Sequence, residues 1–167
     1  MKTLILTRHA KSSWDDLSLM DHDRILNKRG RKSATAIGGW LVDRNHLPQE
    51  TLSSTAERCR ETWARIEQAL PSPPAAEFLQ RMYLPSSATL YSVLQRASAD
   101  VVMMLSHNPG IGEFAEQLVA KPPRHPQFMR YPTAATTVMT FDIGDWSQPF
   151  MGIGNVVDFV VPRDLLE

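Results

Sequence analysis

The stretch Thr3-Leu4-Ile5-Leu6-Thr7-Arg8-His9-Ala10 runs from a short apolar segment straight into an arginine and a histidine. Thr3 to Thr7, rich in leucine and isoleucine and followed at once by polar residues, predicts a buried strand rather than a helix. The polar loop that follows extends to about Met20, so the carboxyl end of the strand carries Arg8 and His9. Ligands of open α/β sheets bind beyond the carboxyl ends of the strands. The position of this pair is therefore a functional expectation as well as a structural one.

The same junction recurs twice. Val101 to Leu105 is a second continuous apolar strand, followed by Ser106-His107-Asn108-Pro109-Gly110 and a helix from about Ile111 to Val119. Glu50 to Ser53 reads as a brief strand. Ser54 and Glu57 follow it at capping-box spacing, which predicts a helix to about Leu70 with Arg58 in its first turn. Asn27 can cap a helix that carries Ala34, Ile37, Trp40 and Leu41 on one face and ends by Asn45 to Pro48. Pro71 to Pro74 form a connector, Leu79 to Leu84 read as extended, and Ser87 can cap a helix through Arg96. Lys121 to Pro132, with four prolines, is a loop, and Thr136 to Phe141 and Val156 to Val161 read as strands. Strands alternating with helices predict an α/β fold with a mainly parallel sheet covered on both faces.

The chain has 167 residues, 43% of them hydrophobic, enough for one well-buried domain over 1–167 and too few for two of ordinary size. Lys plus Arg total 18 and Asp plus Glu total 18, so no global field draws the protein to nucleic acid or an anionic membrane. Any anion site must be local. The single cysteine, Cys59, rules out an internal disulfide framework and a multi-cysteine zinc site, and it fits a reducing, cytoplasmic setting. Met1 to Thr7 is too short for a signal peptide, and no stretch reaches transmembrane length.

Phosphoryl transfer needs a nucleophile held in line and fixed positive donors around three equatorial oxygens. Arg8, His9, Arg58 and His107 can supply all of these. A neutral imidazole attacks phosphorus through one ring nitrogen while an acceptor holds the proton of the other, giving a phosphohistidine that water later opens. His9 fits that role, the guanidiniums of Arg8 and Arg58 can each grip phosphate through paired donors, and His107 can add one more.

Thr7-Arg8-His9-Ala10 resembles the Arg-His signature of the histidine phosphatase superfamily, whose fold is that of the phosphoglycerate mutases. Ser54-Thr55-Ala56-Glu57-Arg58 with Glu61-Thr62 is similar to the second motif of that family, and Ser106-His107-Asn108-Pro109-Gly110-Ile111 to its third. The short length and the segments Asp23 to Gly30 and Tyr131 to Ala134 look most like the SixA-type phosphohistidine phosphatases. The resemblance implies a three-layer α/β/α sandwich, a mechanism with no metal or other cofactor, and catalytic and phosphate contacts from Arg8, His9, Arg58 and His107. By the same carry-over Arg24 joins the pocket rim and Thr133 approaches the phosphate.

One departure bears on the substrate. Larger members place a carboxylate general acid shortly before a mid-chain tyrosine, whereas this chain has Leu79-Gln80-Arg81-Met82-Tyr83, with Glu77 the nearest carboxylate. An alkoxide leaving group needs a proton, but the imidazole of phosphohistidine departs with less help. The expected substrate is therefore phosphohistidine on a protein such as a phosphorelay or phosphotransferase component. A small phosphorylated metabolite is the alternative substrate, and a non-catalytic phosphate-binding module the alternative function. Asp21, Asp23 and Glu77 stay open as the acid.

The remaining candidates have plainer readings. His22, His46 and His125 suit no common zinc spacing and read as loop residues. Cys59 and Arg65 are spaced as in cysteine-nucleophile phosphatases, but the residues between them contain no glycine and favour helix over a phosphate-cradling loop. Lys28, Arg29, Arg31 and Lys32 read as a solvated helix start.

Overall fold

The computed structural model describes residues 1–166. Six strands form one sheet in the order β3 (Ala76–Leu79), β2 (Glu50–Ser54), β4 (Val101–Ser106), β1 (Lys2–Arg8), β5 (Thr136–Phe141), β6 (Asn155–Val160). β3, β2, β4 and β1 run parallel to one another, and β5 lies antiparallel between β1 and β6. The mainly parallel α/β architecture agrees with the expectation.

Side-chain alternation divides the core in two. On β1 and β4, Leu4, Leu6, Val102 and Met104 face one layer. There they meet α3 (Ser87–Gln95) through Leu90 and Leu94, and α4 (Gly110–Leu118) through Phe114 and Leu118. Ile5, Met103 and Leu105 face the other layer. Their partners there are Ile37, Trp40 and Leu41 of α1 (Lys28–Asp43), with Trp63 and Ile66 of α2 (Glu57–Glu67). Strands apolar on both faces demand helices on both sides, and three layers result. A short α5 (Pro162–Leu166) ends the chain beside α1. No helix among the described residues is long and apolar enough to cross a membrane.

Asn27 caps α1 as expected, its side chain accepting from the Gly30 N–H at 2.8 Å. Elsewhere local chemistry shifts boundaries. Ser54 is no cap but the last residue of β2, and α2 starts after Ala56 and stops at Glu67. The edge strand β3 lies at Ala76–Leu79 instead of Leu79 to Leu84, because Gln80–Met82 turn into a 3-10 helix. Ser86, not Ser87, caps α3 by accepting from the Thr89 N–H at 3.1 Å.

Candidate active site

At the carboxyl end of the sheet, a cavity of about 320 Å³ is lined by Arg8, His9, Arg24, Arg58, His107 and Thr133, the six residues singled out from sequence. Lys11, Ser12, Trp14, Leu84 and Asn108 complete its wall. Strand register explains the convergence. Arg8 pairs with Ser106 across β1 and β4, and the His9 N–H donates to the Ser106 carbonyl at 3.1 Å. Both histidines thus leave adjacent strands at one level, with ring centroids 5.2 Å apart. Thr62 ties α2 to the same loop, accepting from the Ala10 N–H at 3.0 Å and donating to the Arg58 carbonyl at 2.6 Å.

The turn Tyr131 to Ala134 closes one side. Tyr131 and Ala134 have φ of 49° and 60°, left-handed values that cost a non-glycine residue about 1–3 kcal/mol each. Several bonds hold them there. Tyr131 Oη donates to the Leu6 carbonyl at 2.6 Å, Asn108 Nδ2 to the Tyr131 carbonyl at 3.0 Å, and the Ala134 N–H to the His9 carbonyl at 2.9 Å. Arg8 Nη1 also reaches the Tyr131 carbonyl, at 3.2 Å. The strained turn therefore fixes both the guanidinium of Arg8 and the place of Thr133.

The histidines are set chemically by their partners. His9 Nδ1 lies 2.7 Å from the Ala10 carbonyl, which can only accept, so Nδ1 carries the proton and Nε2 keeps its lone pair. The Ser54 hydroxyl accepts from the Ala56 N–H at 3.2 Å and lies 2.8 Å from His107 Nε2. Its own proton can then go to Nε2, which also has Cys59 Sγ at 3.7 Å, and in that tautomer the N–H sits at His107 Nδ1. That nitrogen, Arg8 Nε and Arg58 Nε are buried and have no hydrogen-bond partner among the described residues. An unpaired buried polar group costs roughly 1–3 kcal/mol, so three of them on one cavity mark a site made for an acceptor. A tetrahedral oxyanion meets that need.

Burial holds His9 far below its ordinary value, at about 3, the Ala10 carbonyl partly opposing and the charges of Arg58, Arg8 and Arg24 adding to the drop. His107 falls to about 2 through burial, then His9 and Arg58. Both rings are therefore neutral at pH 7, the state a nitrogen nucleophile needs. Because the unfolded chain protonates these rings near 6.5 and the folded chain resists, their contribution is complete above that pH and is lost as pH falls toward the folded values. By pH 5 the loss comes to about 2 kcal/mol per ring. Thermal unfolding without oxyanions is thus expected to show a melting temperature lower by several degrees at pH 5 than at pH 7, and saturating phosphate should restore part of it. A melting temperature flat across that range, with His107→Asn no different, would refute the assignment.

Asp21 turns out to organise the arginines. Its backbone carbonyl accepts from Arg58 Nη1 at 2.7 Å, and its carboxylate meets Arg58 Nη2 at 3.1 Å, Arg24 Nε at 3.3 Å and Tyr83 Oη at 2.5 Å. Partial burial pushes its carboxyl upward, but the hydrogen bonds from Tyr83 and Arg58 and the charges of Arg58 and Arg24 prevail and hold it at about 2. It is ionised at neutral pH and has no proton to give. Glu77 lies on β3 in a separate groove with Glu50 and Arg81. Arg24 serves on the rim and in the surface pair at once: it holds Asp21, and its guanidinium sits 3.5 Å from the ring centre of Trp14.

Among the plainer readings, His22 is more than a solvated loop residue. Its Nε2 lies 2.8 Å from Thr55 Oγ1, and its ring edge meets Tyr83. His46 and His125 are paired with Asp158 and Asp164. Cys59 is fully buried in α2, its thiol pushed up to about 12 by burial, so it is no nucleophile.

Comparison with known proteins places this geometry. Residues 4–78 match the family model of the histidine phosphatase superfamily (branch 1). An uncharacterized chloroplastic protein of Arabidopsis thaliana is 36% identical over 128 residues, covering 70% of this chain, which spans 59% of that protein's length. An uncharacterized protein of Mycobacterium tuberculosis is 32% identical over 165 residues, covering 93% of this chain and 99% of its own. Among solved structures, one from Agrobacterium tumefaciens assigned as phosphohistidine phosphatase SixA superposes with a TM-score of 0.80 at 26% identity, over 96% of this chain and 98% of that one. A SixA structure complexed with tungstate shares the fold at 22% identity, with a TM-score of 0.75 over 98% of this chain and 99% of its own. Shared fold, family motif and full-length relatedness together make this chain a member of the histidine phosphatase superfamily, built on the SixA pattern.

Proposed function

We propose that the chain is a phosphatase that works through a phosphohistidine at His9 and that its substrate is phosphohistidine on a protein. The observation that carries the proposal is the tautomer-locked, neutral His9 facing unpaired buried donors from Arg8, Arg58 and His107. In the first step the lone pair of His9 Nε2 attacks phosphorus, and the bond from phosphorus to the substrate's imidazole nitrogen breaks. The leaving ring departs as neutral imidazole when its other nitrogen carries a proton. Arg8, Arg58 and His107 hold the equatorial oxygens as charge redistributes. Water then attacks the phosphorus on His9, releasing phosphate and restoring the free ring.

The state of the nearby carboxylates supports this leaving group. With Asp21 ionised, Glu77 on another face and Asp23 beside His22 at 3.7 Å, none of the three lining the His9 cavity, no carboxylate among them stands ready to protonate an alkoxide. The resemblance to structures assigned as SixA phosphohistidine phosphatases points the same way. The test is phosphate release from a phosphohistidine-bearing protein beside a panel of alkyl and aryl phosphates, with chelator present. Chelator-resistant turnover of phosphohistidine at least about 100-fold above any alkyl ester is expected, the margin that general acid help would otherwise supply. Preference for a small alkyl ester would instead make the enzyme a metabolite phosphatase.

A further inference from the structure

A second groove, of about 250 Å³, adjoins the phosphate pocket and shares Lys11 and Thr133 with it. We propose that this groove is a second anion subsite, walled by Lys11, Arg29 and Arg163, for a carboxylate or phosphate carried on the same substrate as the scissile phosphate. The proposal rests on reading the neighbouring pocket as the phosphate site.

The cations are brought together by the fold itself. The Lys11 carbonyl accepts from the Asn27 N–H at 3.0 Å, so the start of α1 is pinned to the loop after His9. A Cβ at Gly30 would lie 2.0 Å from that carbonyl oxygen, so only glycine allows the helix so close. Arg29, next in sequence, is thereby held beside Lys11 on the groove wall. α5 packs on α1 and contributes Arg163.

Charge and hydrogen bonding indicate an anion. Among the described residues no carboxylate lines the groove. Asp164 of α5 is committed to His125 Nε2 at 2.9 Å and to the Val161 N–H at 3.1 Å. The first turn of α1 carries no acidic residue, although its dipole favours one, and instead holds Lys28, Arg29 and Arg31. Arg31 is neutralised by Glu61 at 2.6 Å, whereas Arg29 and Lys11 have no such partner among the described residues. Ser33, one turn after Arg29, is 4% exposed, lines the groove, and has no side-chain hydrogen bond among the described residues. Lys11 and Arg29, without an acidic partner among the described residues, together with the Ser33 hydroxyl on the same groove, match a carboxylate or phosphate.

The test compares ratios, which cancel any general damage to the phosphate pocket. Wild type and Arg29→Glu are assayed on two phosphohistidine peptides, one with glutamates flanking the phosphorylated residue and one with glutamines. They are also assayed on two small esters, phenyl phosphate and its carboxylate-bearing analogue. Wild type should favour an acidic member of a pair by roughly ten- to 100-fold in kcat/KM, the worth of one or two charge-assisted bonds. Arg29→Glu should reduce that ratio to near one. Which pair shows the preference tells whether the anion comes from a protein or a metabolite. Equal ratios in wild type and variant would overturn the subsite. Calorimetric binding of inorganic phosphate and tripolyphosphate at matched ionic strength keeps the two readings apart. Tighter tripolyphosphate binding that Arg29→Glu abolishes upholds the subsite even if no substrate turns over. Binding of the two anions that the variant leaves in the same proportion would overturn it.

Discussion

Replacing His9 with alanine is expected to lower kcat/KM for a phosphohistidine substrate by about 10⁴-fold or more, the loss typical of removing a covalent nucleophile. No other group replaces it. Cys59 is buried with its thiol held protonated, and Ser54 is engaged with His107 and the Ala56 N–H. The variant should still bind oxyanions, because Arg8, Arg58 and His107 keep their positions without help from the His9 ring. Thermal stabilisation by vanadate or phosphate would therefore persist while the acid-labile phosphoenzyme, trapped from wild type with labelled substrate, disappears. Removing His9 also removes the second-largest influence holding His107 down, so the His107 pKa should rise. Residual activity above a tenth of wild type, or a phosphoenzyme that survives the substitution, would remove His9 from the mechanism.

The parts of this site that could be read from sequence are those fixed by strand ends. An apolar run followed by a charged pair declares where the chain leaves the sheet, and parallel pairing then sets His9 and His107 side by side. Arg58 was legible for the same reason, since a short strand and a helix start leave it little choice of position. What sequence could not show was partnership across elements. Ser54 stands at perfect capping spacing from Glu57, and nothing local reveals that its hydroxyl turns to a histidine 53 residues away. Asp21 looked like a possible acid because its type allowed it. Only the surrounding Tyr83, Arg58 and Arg24 show that it is held ionised.

Backbone conformation at the Tyr131 to Ala134 turn was equally hidden from the sequence, although the strand after it begins at Thr136 as expected. Tyr131 and Ala134 adopt positive φ without glycine, which no propensity argument predicts, and the bonds that hold them come from Leu6, Asn108 and His9. Met82 explains the misplaced edge strand. It is fully buried in the α3 and α4 layer, and the 3-10 turn that buries it ends β3 early. The Ser106 hydroxyl donates to its carbonyl at 2.7 Å, tying that turn to the histidine loop. Tertiary contacts thus override extended propensity at this point.

Arg58 gives the sharpest view of how the pocket is balanced. It is 3% exposed, it donates to the backbone and side chain of Asp21, and its Nε is unpaired. Arg58→Ala is expected to reduce kcat/KM by roughly 10²–10³-fold, the usual effect of deleting one preorganised donor group. The variant also strands the Asp21 carboxylate beside the incoming phosphate. Adding Asp21→Asn to Arg58→Ala should therefore recover part of the loss, although Asp21→Asn alone should impair activity by loosening both arginines. Arg58→Lys should rescue poorly, since a single ammonium cannot reproduce the planar fork. A second readout has the opposite sign. Arg58 helps to hold both His9 and His107 below their ordinary range, so its removal raises both values and makes the acid loss of stability level off at a higher pH, an effect read below pH 5 because the loss between pH 7 and pH 5 is set by the unfolded value. Steady-state kinetics and thermal unfolding on the same four variants test both effects. If the double variant is no better than Arg58→Ala and the pH dependence of melting below pH 5 is unchanged, Arg58 only binds phosphate and does not set the charge balance of the pocket.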